Sequence, residues 1–278
     1  MSSGNWMFDL RLLSTKSLPP FSPSSAYKPT QAPNPAWQLG EGLSTRTPLE
    51  KKWRDEGDLG WKTWDMGLTS NSDAYKLLGS AITPRPIALV SSVSASGIPN
   101  LAPFRYELHS KVAYNPPLIS LSFTLSPRRP KDTRENILAT KEFVVNLISE
   151  PFVAAANSTS VESPQDTDEW KVSGLTGETS VHVKPRRVRE SAVSLECELY
   201  NFQDIYPDGS ETPSTSLVLG RVRYVHVRNS VLQDDGLQVD AAKLRIVSRL
   251  GGATYARLGE SFDLKSDKPR ENIVGDRM

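Results

Sequence analysis

The chain has 278 residues, 37% of them apolar and 23% charged, and its 33 Lys and Arg against 32 Asp and Glu leave a net charge of +1. This length allows one large domain or two small ones, and near neutrality argues against a dedicated binder of nucleic acid or of membrane surfaces. A single cysteine, Cys197, and three histidines, His109, His182 and His226, exclude a disulfide framework and a Cys-rich zinc site and leave little for a histidine metal centre.

Residues 1–70 differ in texture from the rest. They carry five of the six tryptophans, Trp6, Trp37, Trp53, Trp61 and Trp64, and seven of the 21 prolines. Residues 14–35 are rich in Ser and Pro without periodicity, which reads as loop or disorder. The start does not read as a secretory signal, because Asp9 interrupts the one apolar candidate, and a cytoplasmic location is expected. No apolar run nears the roughly 18 residues that span a bilayer, so no membrane partner is expected. Free tails are poor in aromatics, so residues 36–66 are expected to lie as an irregular strap on the folded domain or on a partner subunit. The reading divides the chain into an irregular extension (1–70), one domain (71–265) and a polar tail (266–278).

From Ser72 short β-rich runs alternate with turns. Residues 87–93 form a β-branched run, Ser94-Ala95-Ser96-Gly97 is a turn signal, and 99–102 complete a hairpin. Further strands are expected at 118–123, 143–148, 181–183, 193–200 and 217–227, with helices at 133–140 and about 151–157. Many short strands with few helices predict a mainly β fold, a closed or nearly closed barrel. Cys197 falls in a strand pattern and reads as a buried, inert thiol. His182 and His226 read as satisfied structural histidines.

Four segments can carry chemistry. At 128–137, Asp132 or Thr133 can cap a helix, and Glu135 can complete a capping box with Asp132. A helix start offers free backbone N–H groups and partial positive charge to an anion, with Lys131, Arg128 and Arg129 alongside. A plain capped helix on a basic loop is the other reading. At 81–90, prolines on both sides hold Arg85 on a stiff, extended entry to a strand, suited to gripping an anion or a carbonyl-bearing ring, or merely to entering the sheet. At 100–109, Arg105, Glu107 and His109 share one face of an extended segment, either as acid/base groups or as a solvated edge. At 248–258, the pair Gly251-Gly252 lets backbone approach another surface closely. No dinucleotide fingerprint, phosphate loop or nucleophile elbow is present.

Together and in this order, Ile82-Thr83-Pro84-Arg85-Pro86-Ile87, Pro99-Asn100-Leu101-Ala102-Pro103-Phe104, Asn115-Pro116-Pro117, Lys131-Asp132-Thr133, Phe143-Val144-Val145-Asn146 and Arg249-Leu250-Gly251-Gly252-Ala253-Thr254-Tyr255 resemble the flavin reductase-like family, whose fold is the FMN-binding split barrel. The likeness runs from about Ser72 to Leu264, and the extension resembles those of fungal-type members. It implies a homodimer binding one FMN per subunit. Lys131, Asp132 and Thr133 would hold the phosphate. Thr83, Arg85 and Ile87, with Asn100, Ala102, Pro103 and Phe104, would flank the ring. Arg249, Gly251, Gly252 and Tyr255 would close the site or the dimer contact. It further implies hydride transfer from NAD(P)H to flavin, for a partner oxygenase or an organic substrate. Arg105 departs from the family's usual small residue there. That departure keeps open a repurposed barrel in which Arg105, Glu107 and His109 are catalytic in non-redox acid/base chemistry on a small metabolite.

Overall fold

A computed structural model of the chain describes residues 20–24, 26–38, 40, 42–104, 110–126, 131–160 and 168–264. In chain order the elements are β1 (Lys28–Thr30), α1 (Pro48–Gly57), α2 (Asn71–Ala81), β2 (Arg85–Pro86), β3 (Ala88–Val93), β4 (Pro99–Phe104), β5 (Ser110–Tyr114), β6 (Pro117–Thr124), α3 (Asp132–Thr140) and β7 (Glu142–Leu147). Then come α4 (Val153–Ser158), α5 (Glu169–Ser173), β8 (Gly177–Glu178), β9 (Arg187–Val188), β10 (Val193–Ile205), β11 (Thr215–Val227), α6 (Ala241–Leu244), β12 (Val247–Gly251), β13 (Thr254–Arg257) and β14 (Glu260–Phe262).

Seven strands join antiparallel in the order β4-β3-β7-β10-β11-β6-β5. The sheet curls on itself into the split barrel. Phe104 of the edge strand β4 packs edge-to-face on Phe123 of β6, with ring centroids 4.7 Å apart. Inside lie Ala88, Val90, Leu121, Phe143, Val145, Cys197 and Val218. The run is apolar from Ile87 to Val90 because both faces of β3 are covered there. Ala88 and Val90 enter the barrel, while Ile87 and Leu89 enter a second core with Leu101, Ile148, Phe152, Ala156 and Val188. Gly220 is required by packing, since a Cβ there would stand 2.4 Å from the Phe143 ring. The Cys197 thiol is buried and pushed far up by that burial and by Glu196, as an inert core thiol should be.

Helix α3 lies across β3 and β4 and drops Ile137 into the barrel core. Arg134 fastens it to β10 through both carboxylate oxygens of Asp204, at 2.9 Å each. A small sheet, β13-β12-β2, stands beside the barrel, and β1 pairs in parallel with β14.

Two local expectations are corrected. Residues 181–183 form bends and no strand, because the Glu196 carboxylate takes the N–H groups of Val181, His182 and Val183 at 2.7, 2.7 and 3.1 Å. Those amides are therefore unavailable to a ladder. Glu196 also meets His226 Nε2 at 2.6 Å, and His182 Nε2 meets Glu198 at 2.7 Å, so both histidines have structural partners. The capping box at α3 does not form. The cap position is Lys131, which makes no side-chain cap bond, and Glu135 turns to Arg134 at 2.6 Å. The extension is also more regular than expected, since it contains β1 and α1. Among the described residues no helix is long and apolar enough to cross a membrane.

Candidate functional site

The β3–β4 hairpin and the start of α3 are joined by one polar relay. Asn136 Nδ2 donates to Ser92 Oγ (3.0 Å), Ser92 Oγ donates to Asn100 Oδ1 (3.4 Å), and Thr133 Oγ1 donates to the same oxygen (2.7 Å). Ser92, Thr133 and Asn136 are buried. The relay therefore brings two of the expected site residues, Asn100 and Thr133, into direct contact. It also commits the Thr133 proton to protein. A phosphate offers acceptors only, so in this arrangement Thr133 faces such a group with its backbone N–H and not its hydroxyl. The first-turn N–H groups of α3 have no intrahelical acceptor, and Lys131 supplies an exposed ammonium beside them.

The other expected residues gather at the far end of β4. Some 13 Å of strand separate Asn100 from Phe104. There Arg85 is buried on β2, opposite Arg249 of β12, and its Nη2 donates to Gly79 O at the end of α2 (2.9 Å). Gly251 packs so closely on α2 that a Cβ would stand 3.2 Å from Gly79 O, at a φ of 149° that disfavours side chains. The Arg249 guanidinium stacks 4.7 Å from the Tyr255 ring centroid and reaches Gly252 O, and Tyr255 Oη donates to Asn157 at 2.7 Å. This end is thus a tightly bonded corner joining α2, β2, β12 and β13.

Along β4, Asn100, Ala102 and Pro103 are partly exposed, whereas Leu101 and Phe104 point into the two cores. Ile87 is likewise core, so only its backbone is available to a ligand; Thr83 is exposed. Arg105, Glu107 and His109 lie outside the described residues, as do Arg128 and Arg129. Clefts of about 370, 560 and 320 Å³ occur on α1, between residues 62–70 and α2, and beside α6. None is lined by β4 or α3, whose sequence neighbours 105–109 and 127–130 are not described.

Glu169 was missed by sequence reasoning. Helix α5 packs on β4 and leaves the Glu169 carboxyl half-buried there. Burial raises its pKa, and the nearby charges of Asp132 and Asp168 add to the rise. The only local signal was Asp168, which caps α5 through Trp170 N and Lys171 N. That capping pattern says nothing of where α5 docks. Ser92 and Asn136 were missed too, although Asn136 shares the buried face of α3 with Thr133 and Ile137.

Comparison with known proteins places this geometry. A family model described as flavin reductase like domain matches residues 79–242. An uncharacterised protein of Halalkalibacterium halodurans is 38% identical over 72% of this chain and 93% of its own. Nitrilotriacetate monooxygenase component B from Bacillus cereus superposes with a TM-score of 0.69 at 35% identity, over 74% of this chain and 99% of its own. A Shewanella frigidimarina protein described as having a split barrel domain superposes with a TM-score of 0.60 at 22% identity, over 76% of this chain and 100% of its own, a likeness of fold.

Proposed function

The chain belongs to the flavin reductase-like family of flavin-linked oxidoreductases, and from that premise we propose that it is an FMN-dependent oxidoreductase acting as a homodimer. The observation that carries this reading is the side-chain-uncapped start of α3, with Lys131 beside it, bonded through Thr133 to Asn100 on the edge strand β4. The donor chemistry suits a phosphate monoester. Lys131 supplies charge, and the N–H groups of Asp132 and Thr133 point from the helix start. Asn100, Ala102 and Pro103 leave β4 partly exposed, Ala102 packing on the barrel core and Pro103 lying on the opposite face, so the β4 backbone between them would flank a planar ring while the Arg85–Arg249 corner fixes the far end. When bound, FMN would accept hydride from NAD(P)H and pass it on; the chain's own residues would bind, orient and shield it. The likeness to an oxygenase component supports delivery of reduced flavin to a partner oxygenase.

The test is a titration of the purified chain with FMN and with riboflavin, followed by anaerobic addition of NADH or NADPH. FMN is expected to bind and bleach, and Lys131→Ala to weaken FMN about ten- to a hundredfold while leaving riboflavin unchanged. A chain that binds neither flavin refutes the reading. Equal losses for both ligands would remove Lys131 from the phosphate.

A further inference from the structure

The cleft of about 320 Å³ beside α6 is walled by four separate segments: the turn 149–152 after β7, residues 190–192 between β9 and β10, the turn 228–231 after β11, and the end of α6. These segments are bonded to one another. Ser149 Oγ donates to Leu244 O (2.7 Å), the Glu150 N–H to Arg245 O (3.0 Å), the Arg228 N–H to Ala192 O (2.9 Å) and the Asp240 N–H to Val231 O (2.8 Å). The walls are therefore set before any ligand arrives, as is usual for small-molecule sites, and the volume lies at the lower end of their range. It equals the liquid volume of roughly ten waters, which suits a molecule of one ring or a short chain.

The lining combines two chemistries. Phe152, Ala192 and Val231 meet the cleft as buried apolar side chains, with Leu244 beside them. On the same cleft lie two cations. The exposed Arg228 guanidinium donates to Arg189 O and, among the described residues, has no carboxylate partner. Lys243 Nζ makes long contacts, 3.4 Å to Leu232 O and 3.8 Å to an Asp240 oxygen. The other charges on the cleft are committed. Arg245 pairs with Glu150 at 2.6 Å, and Glu190 turns both carboxylate oxygens to the Thr176 N–H, at 3.3 and 3.1 Å. An inorganic anion would gain nothing from Phe152 and Val231, and a neutral hydrocarbon nothing from Arg228 and Lys243.

We propose that this cleft binds a small organic carboxylate, whose anion is held by Arg228 and Lys243 and whose apolar body lies on Phe152 and Val231. A guanidinium can take both oxygens of a carboxylate at once. Ser230, exposed on the same turn as Arg228, adds a hydroxyl donor. The site stands apart from the flavin reading, because β4 and α3 contribute nothing to it.

The experiment is a fluorine NMR titration of the full chain with para-fluorobenzoate, repeated with excess FMN. The acid is expected to bind with a Kd of about 1 mM or below, and para-fluorobenzamide, its neutral counterpart, at least about tenfold more weakly. Inorganic phosphate at equal concentration is expected to leave the acid bound. Arg228→Met is expected to raise the Kd about tenfold and Lys243→Met about threefold. Methionine keeps the apolar stem and removes the charge, and Lys243 already spends part of its charge on Asp240. Ser230→Trp, a bulky group on the turn that walls the cleft, is expected to abolish binding. All three variants replace exposed side chains, so the melt should stay unchanged. The proposal is overturned by an acid that does not bind up to about 10 mM, by an amide or phosphate that binds as well, or by binding indifferent to Arg228→Met and Ser230→Trp. Displacement by FMN would put the acid in the flavin site and overturns it too. A chain that takes the acid through Arg228 but binds no FMN would refute the flavin reading and support this site.

Discussion

Thr133→Val tests the relay on which the site's geometry depends. Valine keeps the branched shape of threonine and removes the proton that Oγ1 gives to Asn100 Oδ1 at 2.7 Å. The neutral hydrogen bond contributes about 0.5–1.5 kcal/mol, and a half-buried acceptor left short of a donor adds to that cost. Asn100 Oδ1 retains the longer bond from Ser92 at 3.4 Å, which limits the damage. The expected loss is about 1–2 kcal/mol, or about 3–6 °C in Tm for a domain of this size. Chemical and thermal denaturation of the ligand-free protein read that number. Because the hydroxyl proton already belongs to Asn100, the FMN Kd of the variant is expected within about threefold of the parent, against the much larger loss for Lys131→Ala. An unchanged denaturation midpoint with an FMN Kd raised tenfold or more would show that the hydroxyl serves the ligand and that the relay has been misread.

Three further expectations concern the scaffold. Gly220→Ala places a methyl 2.4 Å from the Phe143 ring and should cost about 1–3 kcal/mol in urea unfolding; a neutral result would mean the ring has room to move. Glu196→Gln weakens three backbone bonds and the His226 pair and should cost at least about 2 kcal/mol. The native Glu196 carboxyl is lowered by these bonds despite its burial, so its contribution is present above the unfolded pKa near 4.3 and lost as pH falls through the lower folded value. The acid limb of a stability profile should therefore flatten in the glutamine variant. Glu169 has the opposite sign. Its raised pKa makes its contribution greatest below the unfolded value and lost as pH rises through the folded one. Glu169→Gln should raise the Tm at pH 7 and leave it unchanged near pH 3.5, and a variant less stable at pH 7 would contradict the buried-charge account.

The barrel was legible where one residue type served one purpose. The run at 87–93, the turn at 94–97 and the alternation at 118–123 each state their strand locally, and the structure returns β3, the hairpin and β6 within a residue or two. The stretch at 181–183 misled because its Val-His-Val pattern is that of a strand. Its amides are claimed by Glu196, 13 to 15 residues later in the chain. Strand propensity describes a surface on which a segment can lie, and a buried carboxylate with three donors to collect overrides it. The capping box failed for a related reason. Glu135 had a nearer cation, Arg134, and Arg134 was in turn drawn to Asp204 across 70 positions of sequence. The motif order named the family; only the fold showed that Asn100 and Thr133 touch.

That contact bears on how the site works. On the proposed reading, a phosphate grip on α3 and a ring platform on β4 would be useful together only if their separation is fixed to a fraction of an ångström. The relay from Asn136 through Ser92 to Asn100 and back to Thr133 ties helix to strand at the phosphate end. At the other end Phe104 is seated against Phe123, and Arg85 holds α2 while Gly251 lets β12 close on it. Strand β4 is therefore pinned at both ends, although among the described residues it pairs with a strand, β3, on one side only. Helix α5 packs on β4 and half-buries the Glu169 carboxyl there, and that burial, with the charges of Asp132 and Asp168, raises its pKa.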